Sequence, residues 1–102
     1  MGYRAHVQTR HEIEYGNCHF NFNDDIVVKW LRDNGVYVCG GEEYGTGSEW
    51  EMLKDELRSI PESAYVALHD GKGYGVTGDE LRKFVKDCLA APTGDYAYIS
   101  WF

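Results

Sequence analysis

The chain has 102 residues, with 17 acidic against 10 basic side chains and a formal net charge of −7. At that length one domain spanning 1–102 is expected, without a linker. The charge argues against direct nucleic-acid binding, because phosphate contacts need clustered Lys and Arg, and only Arg82, Lys83 and Lys86 fall together, on a segment rich in acids. A hydrophobic content of 43% suits a globular chain, and no apolar run reaches the roughly 18 residues of a membrane span. The opening residues Met1 to Gln8 lack an apolar signal core, so the expected location is cytoplasmic, in a bacterial cytosol.

In chain order, residues Tyr3 to Tyr15 alternate, with Tyr3, Ala5, Val7, Thr9, His11, Ile13 and Tyr15 on one face, which predicts a long half-buried strand broken at Gly16-Asn17. Asn23 before Asp24-Asp25 marks a helix start with acids in its first turn, and Ile26, Val27, Trp30 and Leu31 form an apolar stripe. Asn34-Gly35 stops that helix through a left-handed cap, and Val36 to Cys39 follows as a short buried strand. Glu49 to Met52 alternates and is read as a strand paired with Val36–Cys39, although Ser48 with Glu51 also has the form of a helix capping box. A short helix is expected from Lys54 to Ile60. The stretch Ala64–Asp70 suits either helix or strand, and the glycines from Gly71 to Gly78 frame a loop. Thr77 and Glu80 predict a capping box, opening a helix whose buried face is Leu81, Phe84, Val85, Cys88 and Leu89. Tyr96 to Phe102 is an aromatic-rich strand. The order predicts an α+β domain of ferredoxin-like, split β-α-β type (β-α-β-β-α-β with an extra short helix), its helices on one face of an antiparallel sheet.

Two constellations bear on chemistry. If the first two predicted strands run parallel, Cys18-His19 and Cys39 end at one edge of the sheet, near Glu42-Glu43. Two sulfurs, an imidazole and a carboxylate are ligand types for a structural zinc, with His11 or His6 as a further donor, although no Cys-x-x-Cys spacing is present. The alternative for Cys39 and Cys88 is small core hydrophobes. The second constellation is acidic and aromatic. Glu42, Glu43, Glu49 and Glu51 frame the predicted hairpin with Tyr44 and Trp50, while Asp24 and Asp25 open the first helix at the same end. Carboxylates spaced among rings suit a basic protein groove.

Catalytic fingerprints are missing. Asp70 to Gly75 lacks the Gly-Lys-Ser/Thr ending of a phosphate loop, no serine has an elbow motif, and neighbours such as Cys18 and His19 point oppositely on a strand. No enzymatic activity is expected. A metal-dependent or thiol enzyme centred on Cys18, His19 and Cys39 is the rival, and a dimerising accessory domain is a third reading.

The opening Met1-Gly2-Tyr3-Arg4-Ala5-His6-Val7, with His11-Glu12-Ile13-Glu14-Tyr15-Gly16, and the ending Ala91 to Phe102 resemble small cytosolic proteins of phages and other mobile elements of Gram-positive bacteria. Small acidic members of that group are similar to anti-CRISPR inhibitors of type II systems, which block an RNA-guided nuclease. The resemblance implies a protein-binding inhibitor of a defence nuclease, without direct nucleic-acid or membrane contact.

Overall fold

Two-residue alternation builds the sheet. The computed structural model describes residues 5–8, 15–19, 24–39, 49–69, 71 and 75–101. The elements are β1 (Ala5–Gln8), β2 (Tyr15–His19), α1 (Asp24–Asp33), β3 (Glu49–Leu53), α2 (Lys54–Arg58), β4 (Leu68–His69), β5 (Gly75–Val76), α3 (Gly78–Ala90) and β6 (Tyr96–Trp101), with a single 3-10 turn at Glu62–Ala64. Four strands join in the order β2-β1-β6-β3, every pairing antiparallel, and β4 with β5 forms a separate small ribbon. The register Val7↔Ile99↔Trp50 and the pair Ala97↔Met52 place these side chains on one face, where all five are buried. They merge into one cluster with Val27 and Leu31 of α1, Leu57 of α2 and Leu81, Phe84, Val85 and Cys88 of α3, so the helices share one side of the sheet. The α+β class and the antiparallel sheet agree with the sequence reading.

Two strand expectations are corrected. A 13-residue strand from Tyr3 to Tyr15 would run roughly 43 Å, longer than the molecule's largest extent of 36 Å. The chain instead folds back so that Tyr15 pairs with Gln8, across a register shift between His6 and Gln8, and Gly16-Asn17 lies inside β2. The split β-α-β order is also not what these pairings give, because β6 lies between β1 and β3. Successive antiparallel pairings make β1 run opposite to the segment ending at Cys39. That segment is less than the strand expected. Cys39 and Glu51 exchange both backbone hydrogen bonds, at 3.0 and 3.1 Å, while Val36 to Cys39 keeps only the in-out alternation of a strand, with Val36 and Val38 buried.

Local signals fix the end of α1 and the start of α3 as read, whereas α2 stops at Arg58, short of the expected Ile60, and Asn23 lies outside the described residues. Gly35 takes φ 84°, and the Val36 amide donates to the Leu31 carbonyl at 2.9 Å, closing α1. Thr77 Oγ1 accepts from the Glu80 amide at 3.1 Å, and the Glu80 carboxylate accepts from the Thr77 amide at 2.9 Å. Thr77→Ala is therefore expected to lower stability by about 1 kcal/mol, measured by urea denaturation, with no change in the fold. A side chain at Gly78 would collide with the Tyr65 carbonyl oxygen, so α3 begins in direct contact with the loop before it.

At the junction of β3 and α2 the Lys54 amide donates to the Asp95 carbonyl at 2.8 Å, and the buried Lys54 ammonium donates to the Ala91 carbonyl. A cation at the end of α3 satisfies a terminal carbonyl and the negative end of the helix dipole. It also pins the α3–β6 connection beside β3. Among the described residues, no helix is long and apolar enough to cross a membrane.

Candidate binding face

The register that buries one side of the sheet presents its other side outward. Leu53 pairs with Tyr96, and Glu51 pairs with Tyr98 on one flank and Cys39 on the other. Tyr37, two residues before Cys39, therefore falls beside Leu53. The result is two rows across three chain segments, Tyr37–Leu53–Tyr96 and Cys39–Glu51–Tyr98. Glu49 continues the face opposite Ser100, which pairs with His6.

Three large apolar or aromatic side chains are exposed here, Tyr37 at 68%, Tyr96 at 40% and Leu53 at 37%. With Cys39, Glu51 and Glu56 they line an open groove of about 390 Å³. The Glu56 carboxylate accepts from the Tyr37 amide at 3.0 Å, which sets that segment against α2 and holds the Tyr37 wall in place. The Tyr96 and Tyr98 rings lie 6.4 Å apart at 36°. Partial burial and the neighbouring Glu51 carboxylate raise the Tyr98 phenol above its ordinary pKa, so it stays a neutral donor. Among the described residues, no Lys or Arg is ion-paired with Glu49, Glu51 or Glu56. The face is thus anionic, ring-lined and preformed on a sheet, a combination suited to binding a cationic surface.

Of the acidic and aromatic set expected to bind a partner, the structure brings Glu49 and Glu51 onto this face. Trp50 is corrected. Its place between two outward residues of β3 turns it into the core, at 2% exposure. Asp24 and Asp25 form the first turn of α1, and Glu42, Glu43 and Tyr44 lie outside the described residues. The residues missed by sequence reasoning are Tyr37, Leu53, Glu56, Tyr96 and Tyr98. Alternation in Tyr96-Ala97-Tyr98-Ile99 carries the signal, since the small and aliphatic members must face the helices.

The proposed metal ligands are not brought together. His19 lies on β2 at one edge of the sheet, and Cys39 lies beyond β3 at the other, four strand spacings or roughly 19 Å across. The expectation of convergence rested on parallel first strands, which the antiparallel pairings replace. His11 lies outside the described residues, and Cys18 is a β2 residue paired with His6. No group of three or more His, Cys, Asp or Glu suited to a metal occurs among the described residues. Cys88 is fully buried, and that burial pushes its thiol well above the ordinary range, leaving it an inert core residue.

His19 has a structural partner instead. Its Nε2 lies 2.8 Å from Asp87 Oδ2 on α3, and its ring meets Phe84 edge-on with centroids 5.5 Å apart. Burial lowers its pKa below the ordinary 6.5, overcoming the raising pull of Asp87. A neutral ring then carries its proton on Nε2 and donates to the carboxylate. The unfolded chain takes up this proton near 6.5 while the folded chain does so only at lower pH. The stability contributed is complete above that value and declines as pH falls below it. Urea midpoints are expected to fall between neutral and mildly acidic pH, and His19→Gln is expected to flatten that slope.

No family model, curated protein or solved structure matches the chain. The class that the architecture defines is an α+β domain with an antiparallel sheet and one helix-covered face.

Proposed function

We propose that the protein is a non-enzymatic inhibitor that docks its outer sheet face on a basic, nucleic-acid-binding surface of a bacterial defence nuclease, in the manner of an anti-CRISPR protein. The observation that carries the reading is the coincidence, on one face, of three exposed large side chains with carboxylates that no Lys or Arg of the described chain engages. A net charge of −7 steers such a face toward cations and away from nucleic acid. The nuclease as target is supported by the phage-protein resemblance of the two chain ends and by charge complementarity. Self-association through this face is disfavoured, since a second copy would set Glu49, Glu51 and Glu56 against their own counterparts.

The test is inhibition of DNA binding by RNA-guided nucleases in the presence of the purified protein. Inhibition whose association rate falls as salt rises is the expected result. Indifference of DNA binding by type II nucleases to saturating protein contradicts the reading.

A further inference from the structure

We infer that the groove between Tyr37 and Tyr96 is a receptor for one arginine side chain of the protein partner, a proposal that rests on the outer face being the contact with a basic surface. The groove is lined by Tyr37 and Tyr96, by Leu53, which pairs with Tyr96, by Cys39, and by Glu51 and Glu56. A long side chain with an apolar stem and a cationic head matches that sequence of surfaces. The stem covers Leu53 and the rings, and the head reaches the carboxylates while lying against a ring face. Glu56 already accepts from the Tyr37 amide through Oε1. Among the described residues, Glu51 makes no hydrogen bond or ion pair through its side chain.

The fold contains its own version of this arrangement. Arg82 lies over the Tyr65 ring at 5.3 Å, donates to Glu62 at 2.5 and 3.1 Å, and donates to Asp79 at 2.7 Å. There one tyrosine and two carboxylates hold a guanidinium. The outer groove offers two tyrosines and two carboxylates, without a described guanidinium among them. Arginine is favoured over lysine because its planar head is less strongly hydrated, stacks on rings and donates to two carboxylates at once.

The experiment titrates the isotopically labelled full chain with acetylated, amidated hexa-arginine and, separately, hexa-lysine at low ionic strength, following backbone amide shifts. The arginine peptide is expected to bind about three- to tenfold more tightly, with shifts centred on Tyr37, Leu53 and Tyr96. Tyr37→Ala and Glu51→Gln are each expected to remove that preference without moving the thermal midpoint, and Tyr37→Phe to keep it. Equal affinities for the two peptides overturn the arginine receptor but leave the basic-docking reading standing. An arginine preference that survives Tyr37→Ala places the side chain elsewhere and overturns it too. Shifts with neither peptide overturn both proposals.

Discussion

Phe84→Ala is expected to destabilise the domain by about 3–5 kcal/mol, a large part of the roughly 5–15 kcal/mol that holds a chain of this size folded. Phe84 is completely buried, heads the fully buried side chains by volume, and meets the His19 ring of β2. It lies where α3 touches β2 and β6, so its removal leaves a cavity between the helix layer and the sheet. Urea denaturation followed by the fluorescence of the buried Trp30 and Trp50 measures the loss. Tyr96→Ala, at an exposed outer-face position, serves as the comparison and is expected to change stability by about 0.5 kcal/mol or less. A small effect at Phe84 would mean that α3 does not pack on the sheet as described.

The largest functional effect is expected from reversing charge on the outer face. Glu49→Lys with Glu51→Lys changes two neighbouring outward positions of β3 and moves the net charge from −7 to −3. The proposed inhibition of a nuclease is expected to weaken by about tenfold or more, mainly through slower association. The same change of net charge at Asp33 and Asp55 separates location from total charge. Both are exposed, each in a surface ion pair within its own helix, to Lys29 and Arg58, so their replacement barely alters stability. That control is expected to retain inhibition within about threefold. Equal losses in the two variants would make the effect one of overall charge and not of this face.

Local chemistry made much of the fold legible. The Thr77–Glu80 capping box, the Asn34-Gly35 stop and the apolar stripe of α3 are each set by groups within one or two helical turns. The choice of strand over helix for Glu49 to Met52 came out correctly because Trp50 and Met52 face one side and Glu49 and Leu53 the other. Long-range pairing was less accessible. Alternation assigns faces and carries no information about direction, so residues 3–15 scan as one strand although the chain reverses between Gln8 and Tyr15. For the same reason β6 could be recognised as a strand while its central position, between β1 and β3, could not.

The site followed this division. Glu49 and Glu51 are read as framing a hairpin and do lie on the outward side of β3, whereas Trp50, grouped with them by proximity in sequence, faces the core. Tyr37 and Tyr96 are 59 positions apart and become neighbours only because Leu53 of β3 lies between their segments. The supposed metal cluster failed on topology rather than on ligand type, since an antiparallel order carries His19 and Cys39 to opposite edges.

Amide hydrogen exchange of the protein, alone and mixed with a nuclease of the proposed partner class, tests the assignment of the outer face most directly. Slower exchange is predicted along β3, β6 and residues 36–39, with the outward surfaces of α1 and α3 unchanged. Protection confined to those helices, with β3 and β6 exchanging as in the free protein, would contradict the account.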